Sequence, residues 1–107
     1  MTTGAERRKN ILDEVERCVC QDRVKSYGDA EDNFTHIAQR WNLYLQHRFQ
    51  NRPVHLQPYD IAAMMQDIKL ARIASSPLHL DNWVDAAGYG VCGAGIIVKL
   101  NDEGNTP

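Results

Sequence analysis

Apolar residues recur at helical spacing along almost the whole chain, and three breaks divide the pattern into four segments. In the first segment Ile11, Leu12, Val15, Cys18 and Val19 form one stripe, with Lys9, Glu14, Glu16 and Arg17 outside it. The stripe stops before Ser26-Tyr27-Gly28, a turn signal. The second segment opens at Asp29, a good N-cap, with Asp32 three residues on as a capping-box variant. Phe34, Ile37, Ala38, Trp41, Tyr44 and Leu45 then make a broad apolar face, which Asn51-Arg52-Pro53 breaks. The third segment opens near Pro58, a residue suited to a first helical turn. Its inward positions are Ile61, Met64, Ile68 and Ala71, and Ser75-Ser76-Pro77 closes it. The fourth opens at Asp81, read as an N-cap, and carries Val84, Ala87, Val91, Ala94 and Val98.

Four helices of about 15–20 residues would each span ~22–30 Å, enough for a compact bundle. The one run with β character, Ile96-Ile97-Val98, also continues the fourth stripe. The expectation is an all-α fold, a four-helix bundle forming one domain over residues 1–107. Its core covers about 5–100, with fraying at Met1 to Gly4 and at Asn101 to Pro107.

Composition narrows the function classes. Twelve basic against fourteen acidic residues give a net charge of -2, so a nucleic acid duplex is a poor partner. No stretch approaches the ~18 apolar residues of a membrane span, and the polar start Met1-Thr2-Thr3-Gly4 does not read as a signal peptide. Three cysteines, an odd number, fit reduced thiols in a cytoplasm. The charges are also uneven. Residues 1–52 hold nine Lys/Arg and eight Asp/Glu, whereas residues 53–107 hold three and six, which isolates a few carboxylates in an otherwise buried half.

Three groups of residues admit a chemical reading beside a structural one. Asp81 and Asp85 share a helix face at i, i+4, where like charges repel. Capping and the helix dipole account for them structurally, and a divalent cation such as Mg²⁺ accounts for them chemically. Lys69 and Arg72, three apart, form either a solvated edge beside Asp67 or a phosphate clamp. Gly88, Gly90, Gly93 and Gly95 fall within one helix, at a cost of roughly 1 kcal/mol each against Ala. Such glycines imply a close approach, to a neighbouring helix or to a ligand. Asn33, beside Phe34, is available to a ligand or a neighbouring helix; Trp41 and Tyr44 read as core, with base stacking as the alternative. His36, His47, His55 and His79 lack zinc spacing, and Cys18 and Cys20 fall on nearly opposite helix sides. No phosphate-binding glycine loop and no nucleophile motif is present, so covalent catalysis is not expected.

Together these residues resemble a known pattern. It runs through Tyr27-Gly28, Asn33-Phe34, Ile37-Ala38 and Trp41. It continues through Asp60-Ile61-Ala62, Met64-Met65, Lys69 and Ala71-Arg72 to Asp81-Asn82-Trp83-Val84-Asp85 and Ala87-Gly88-Tyr89. The chain resembles a small phage and prophage domain family without assigned function, related to nucleotide-modification-associated domains. More remotely it resembles the all-α nucleoside triphosphate pyrophosphohydrolases of the MazG and dimeric dUTPase type. The match covers about Tyr27 to Gly95, most specifically Asp81 to Tyr89.

That resemblance implies a MazG-like helical fold, usually dimeric or tetrameric, and Mg²⁺-dependent cleavage of a nucleoside triphosphate to monophosphate and pyrophosphate in the host cytoplasm. On this chain it assigns Asp81 and Asp85 as catalytic metal ligands, with Glu31 contributing a further ligand. Asn33, Lys69, Arg72 and Tyr89 become ligand-binding residues, and the glycine-rich face of the fourth helix a contact between subunits. The Glu-x-x-Glu pair of the early helices is missing: the chain offers Asp13-Glu14-Val15-Glu16 and Glu31-Asp32-Asn33-Phe34 instead. Three readings therefore stand: a pyrophosphohydrolase, a protein that binds or sequesters a nucleotide without turnover, and a helical module that binds a host protein.

Overall fold

The computed structural model describes residues 1–22, 24–25, 28–50 and 54–104, and among these every regular element is helical. Four helices follow in order: α1 (Gly4–Arg17), α2 (Ala30–Arg48), α3 (Pro58–Ser75) and α4 (Leu80–Asp102). A π-helical turn, Cys18–Asp22, extends α1. The all-α expectation holds, and Ile96-Ile97-Val98 stays inside α4. Of the expected punctuation, Ser26-Tyr27 and Asn51-Arg52-Pro53 lie outside the described residues.

The helix starts show how short polar residues set the boundaries. Thr3 caps α1 by accepting from the Glu6 N–H at 3.1 Å, so order begins at Gly4, earlier than the expected fray. Gly28 takes φ +76°, a left-handed turn that favours glycine, and Asp29 occupies the expected N-cap position of α2, but its side chain makes no capping hydrogen bond, so the expected box with Asp32 does not form. At α3 the Asp60 carboxylate accepts from the Gln57 N–H at 2.8 Å, fixing the first turn at Pro58. The expected cap of α4 needs correction. His79 is the N-cap, and Asp81 lies inside the first turn. The link sets this start: the Trp83 indole donates to the Pro77 carbonyl at 2.9 Å and pulls α4 back onto the turn.

α4 is the hub. It runs antiparallel to α3, in the most extensive packing of the fold. Gln66 Nε2 donates to the Ala86 carbonyl at 3.0 Å between them, and a Cβ added at Gly93 would lie 3.2 Å from that of Ala62. α2 packs on α3, and Phe34 and Ala38 close a core with Ile61, Ala62, Tyr89 and Ile96. Of the other three helices, α1 packs only on α4, where a Cβ at Gly88 would meet Val19 Cγ2 at 3.1 Å. Close helix packing therefore accounts for Gly88 and Gly93, whereas a Cβ at Gly95 would meet open space.

The buried faces are rotated from those expected. α3 buries Ile61 and Ala62 but exposes Met64 and Ile68, and α4 buries Gly88, Tyr89 and Ile96 but exposes Val91 and Val98. Both helices are apolar on more than one side, so periodicity alone did not select the face. Tyr44, expected in the core, is 65% exposed, because α2 turns Asn42, two residues before it, inward instead.

Candidate functional site

The tip of the α3–α4 hairpin forms an open groove of about 780 Å³. Its walls are Ile68, Ala71, Arg72, Ser75 and Ser76 from the end of α3, and His79 and Asn82 from the start of α4. The short Ser76–His79 link brings these ends together: the Ser76 N–H donates to the Arg72 carbonyl at 2.8 Å, and the His79 N–H to the Ser76 carbonyl at 3.2 Å. The groove thus opens at the N-terminus of a 23-residue helix whose N-cap side chain makes no capping hydrogen bond. Unfilled N–H groups and the helix dipole favour an anion there. Arg72 is exposed and makes no ion pair among the described residues, so its guanidinium is available at the rim. His79 stands beside it, its Nε2 4.0 Å from the Asp81 carboxylate, which is 82% exposed.

The residues singled out from sequence divide between the two ends of α4. Lys69, one turn before Arg72, pairs with Asp85 at 3.0 Å and is largely buried there. The two expected phosphate-binding cations therefore have different tasks: one neutralises a carboxylate and the other faces solvent. Asp85 borders a small gap beside Cys18, Val19 and Gly88, on the α1 side of the helix. Glu31 lies elsewhere. Its carboxylate accepts from Lys99 at 3.0 Å, and this hydrogen bond raises the Lys99 pKa above its ordinary value. Lys99 is fourteen residues beyond Asp85, about 21 Å along the helix. Asn33, in the first turns of α2, belongs to the Glu31 end. Tyr89 is buried in the core, its ring centroid 6.2 Å from that of Phe34.

This placement does not fit a three-carboxylate Mg²⁺ site within one chain. Glu31 is a helix length away, Asp85 already has a cationic partner, and among the described residues no three His, Cys, Asp or Glu side chains gather at one point. Asp81 and Asp85 do share a face, as their spacing predicts, but Asp81 is open to solvent whereas Asp85 is half-buried against Lys69.

Three groove residues carried no functional signal in the sequence: Ser75 and Ser76 read as a helix stop, and His79 as one of four histidines without zinc spacing. Asn82 was visible only as part of the Asp81–Asp85 block. A second concavity, almost wholly apolar, lies between Trp41, Tyr44, Leu45, Leu56 and Met64. Half-buried Trp41 thus borders both core and surface. Cys18, Cys20 and Cys92 form no disulfide among the described residues, and burial pushes the Cys18 thiol up.

α4 itself is long and apolar enough to cross a membrane by length and composition, contrary to the sequence expectation. Its uncharged stretch from Ala86 to Val98 spans about 20 Å, short of the ~30 Å hydrocarbon core, and the helix is the packing centre of the other three.

Comparison with known proteins finds a domain family and phage relatives. A domain of unknown function, DUF6378, matches residues 10–97. The Gene 55 protein of Mycobacterium phage L5 is 36% identical over 91 residues, covering 85% of this chain and 52% of that protein. The Gene 55 protein of Mycobacterium phage D29 is 32% identical over 95 residues, covering 89% and 56% respectively. The chain thus spans about half the length of the curated relatives it matches. No solved structure matches it.

Proposed function

The chain belongs to the DUF6378 family, and from that premise we propose that it binds a nucleoside phosphate in the hairpin groove, without hydrolysing it. The observation that carries this reading is the convergence of Arg72, His79 and two serine hydroxyls on the uncapped start of α4. Arg72 offers a planar fork to phosphate oxygens, and the helix N–H groups offer further donors. The reading keeps the remote resemblance to the MazG-type pyrophosphohydrolases that Asp81 and Asp85 suggest, and it drops their chemistry. Two observations favour dropping it: Asp85 is neutralised by Lys69, and Glu31 sits at the far end of α4.

The test is calorimetric titration with the four nucleoside triphosphates, in Mg²⁺ and in EDTA, with product analysis that separates mono- from triphosphate. Binding that survives EDTA, falls at least tenfold in Arg72→Ala and gives no monophosphate is expected. Mg²⁺-dependent monophosphate release would replace this reading with the hydrolytic one. No binding to any nucleotide would leave the host-protein module as the better account.

A homo-oligomer belongs to the same proposal. Ala87, Val91, Ala94 and Val98 form an exposed stripe on α4. A second copy packed along this stripe would cover it, and a monomeric mass by light scattering would exclude that contact.

A further inference from the structure

We infer that Asn82 is the residue with which the groove reads the base of a nucleotide, an inference that rests on the nucleoside-phosphate reading above. Asn82 is one of two buried polar residues in the described core, only 8% exposed, yet its side chain makes no hydrogen bond among the described residues. No described side-chain nitrogen or oxygen that is sealed from solvent lacks a partner. The amide of Asn82 must therefore reach solvent, and the groove it lines is the opening available to it. An amide so placed presents one donor group and one acceptor with nothing bound to either. Leaving such a group without a partner in a dry site is costly, so a ligand that excludes water there has to satisfy it.

The surroundings decide which part of a ligand it meets. The charged groups, Arg72 and His79, are exposed at the rim, whereas Asn82 is buried and shares the groove with the apolar side chains of Ile68 and Ala71. Phosphate belongs with the cations at the rim. A flat, uncharged ring with a donor beside an acceptor on its edge belongs against Asn82, the pairing asparagine makes with base edges. The groove is open, and at about 780 Å³ it has room for much more than a phosphate group.

The experiment compares inorganic tripolyphosphate with ATP, GTP, CTP and UTP on the intact chain, by calorimetry, for the parent protein, Asn82→Ala and Asn82→Asp. The parent is expected to bind one nucleotide at least tenfold more tightly than tripolyphosphate and than the least favoured base. Asn82→Ala should bring all five ligands within about threefold of one another, leaving tripolyphosphate affinity and the unliganded melting temperature unchanged. Asn82→Asp keeps the acceptor, loses the donor and adds a negative charge, and should alter the order of bases while weakening all five polyphosphate ligands together. Equal binding of tripolyphosphate and all four nucleotides by the parent would overturn this inference and leave the phosphate site standing, as would unaltered base preference in Asn82→Ala. Failure of all five ligands to bind the parent would overturn the nucleotide reading itself, and this inference with it.

Discussion

Asn42 and Asn82 are equally buried, at 8% exposure, and differ in everything else. Asn42 projects from α2 against the strand-like approach to α3, where its Oδ1 accepts from the Leu56 N–H at 2.7 Å and its Nδ2 donates to the Leu56 carbonyl at 3.0 Å. Both halves of the amide are used, and the segment entering α3 gains two partners for backbone groups that no regular element supplies. Asn82 projects from the first turn of α4 with neither half used among the described residues. One asparagine completes the fold; the other is held ready. Burial alone would have classed them together, and only the accounting of partners separates them.

The largest effect expected from this contrast is on stability. Asn42→Ala removes two hydrogen bonds and strands the Leu56 N–H and carbonyl, a loss of about 2–4 kcal/mol. Asn82→Ala strands nothing and should remain within about 0.5 kcal/mol of the parent. Urea unfolding of the two variants side by side measures the gap, and equal destabilisation would abolish the distinction between a structural and a poised amide.

The ion pairs at the two ends of α4 repeat the lesson with charges. Lys69–Asp85 and Lys99–Glu31 both close to 3.0 Å, but the Lys69 side chain is 13% exposed and that of Lys99 59%. Lys69→Met leaves Asp85 half-buried without its cation, and should cost about 1–3 kcal/mol, between the ranges for exposed and buried pairs. A loss near zero would mean that water already solvates the Asp85 carboxylate, and would return Asp85 to the pool of free metal ligands. That variant therefore also tests why hydrolysis was set aside.

What the sequence made legible follows from the range of the forces involved. Helix existence and type are local properties, and the starts at Asp29 and Pro58 were readable from the caps themselves. The start of α4 was not, because the Trp83–Pro77 contact that draws the helix back to Leu80 joins residues across a turn. Nor could periodicity choose between two apolar faces on α3 and α4, since the choice depends on where α1 and α2 land. At the site, Lys69, Arg72, Asp81 and Asp85 carried a visible charge pattern, and the antiparallel hairpin does bring Lys69 to Asp85. Which cation claims which carboxylate is a tertiary fact, however. Lys99 takes Glu31 across 68 residues of chain, and no spacing rule reaches so far. His79 and Asn82 stayed silent because the groove exists only once two helix ends meet.

The smallest expected effect is also the one with a defined pH signature. Lys99 is exposed, and its hydrogen bond to Glu31 raises its pKa above the ordinary 10.5. A cation whose pKa is raised on folding binds its proton more tightly in the native state. The resulting stabilisation is complete below pH 10.5 and disappears as pH rises through the higher native value. Comparing the melting temperature of the parent with that of Lys99→Met at pH 8 and at pH 11.5 isolates it. The parent should hold a small advantage at pH 8 that shrinks at pH 11.5, and added salt should shrink it at pH 8 as well, because the pair is open to solvent. Nucleotide binding at the far end of α4 should be indifferent to this substitution. A change there would tie the two ends of the helix together and undo the separation on which the contrast between them rests.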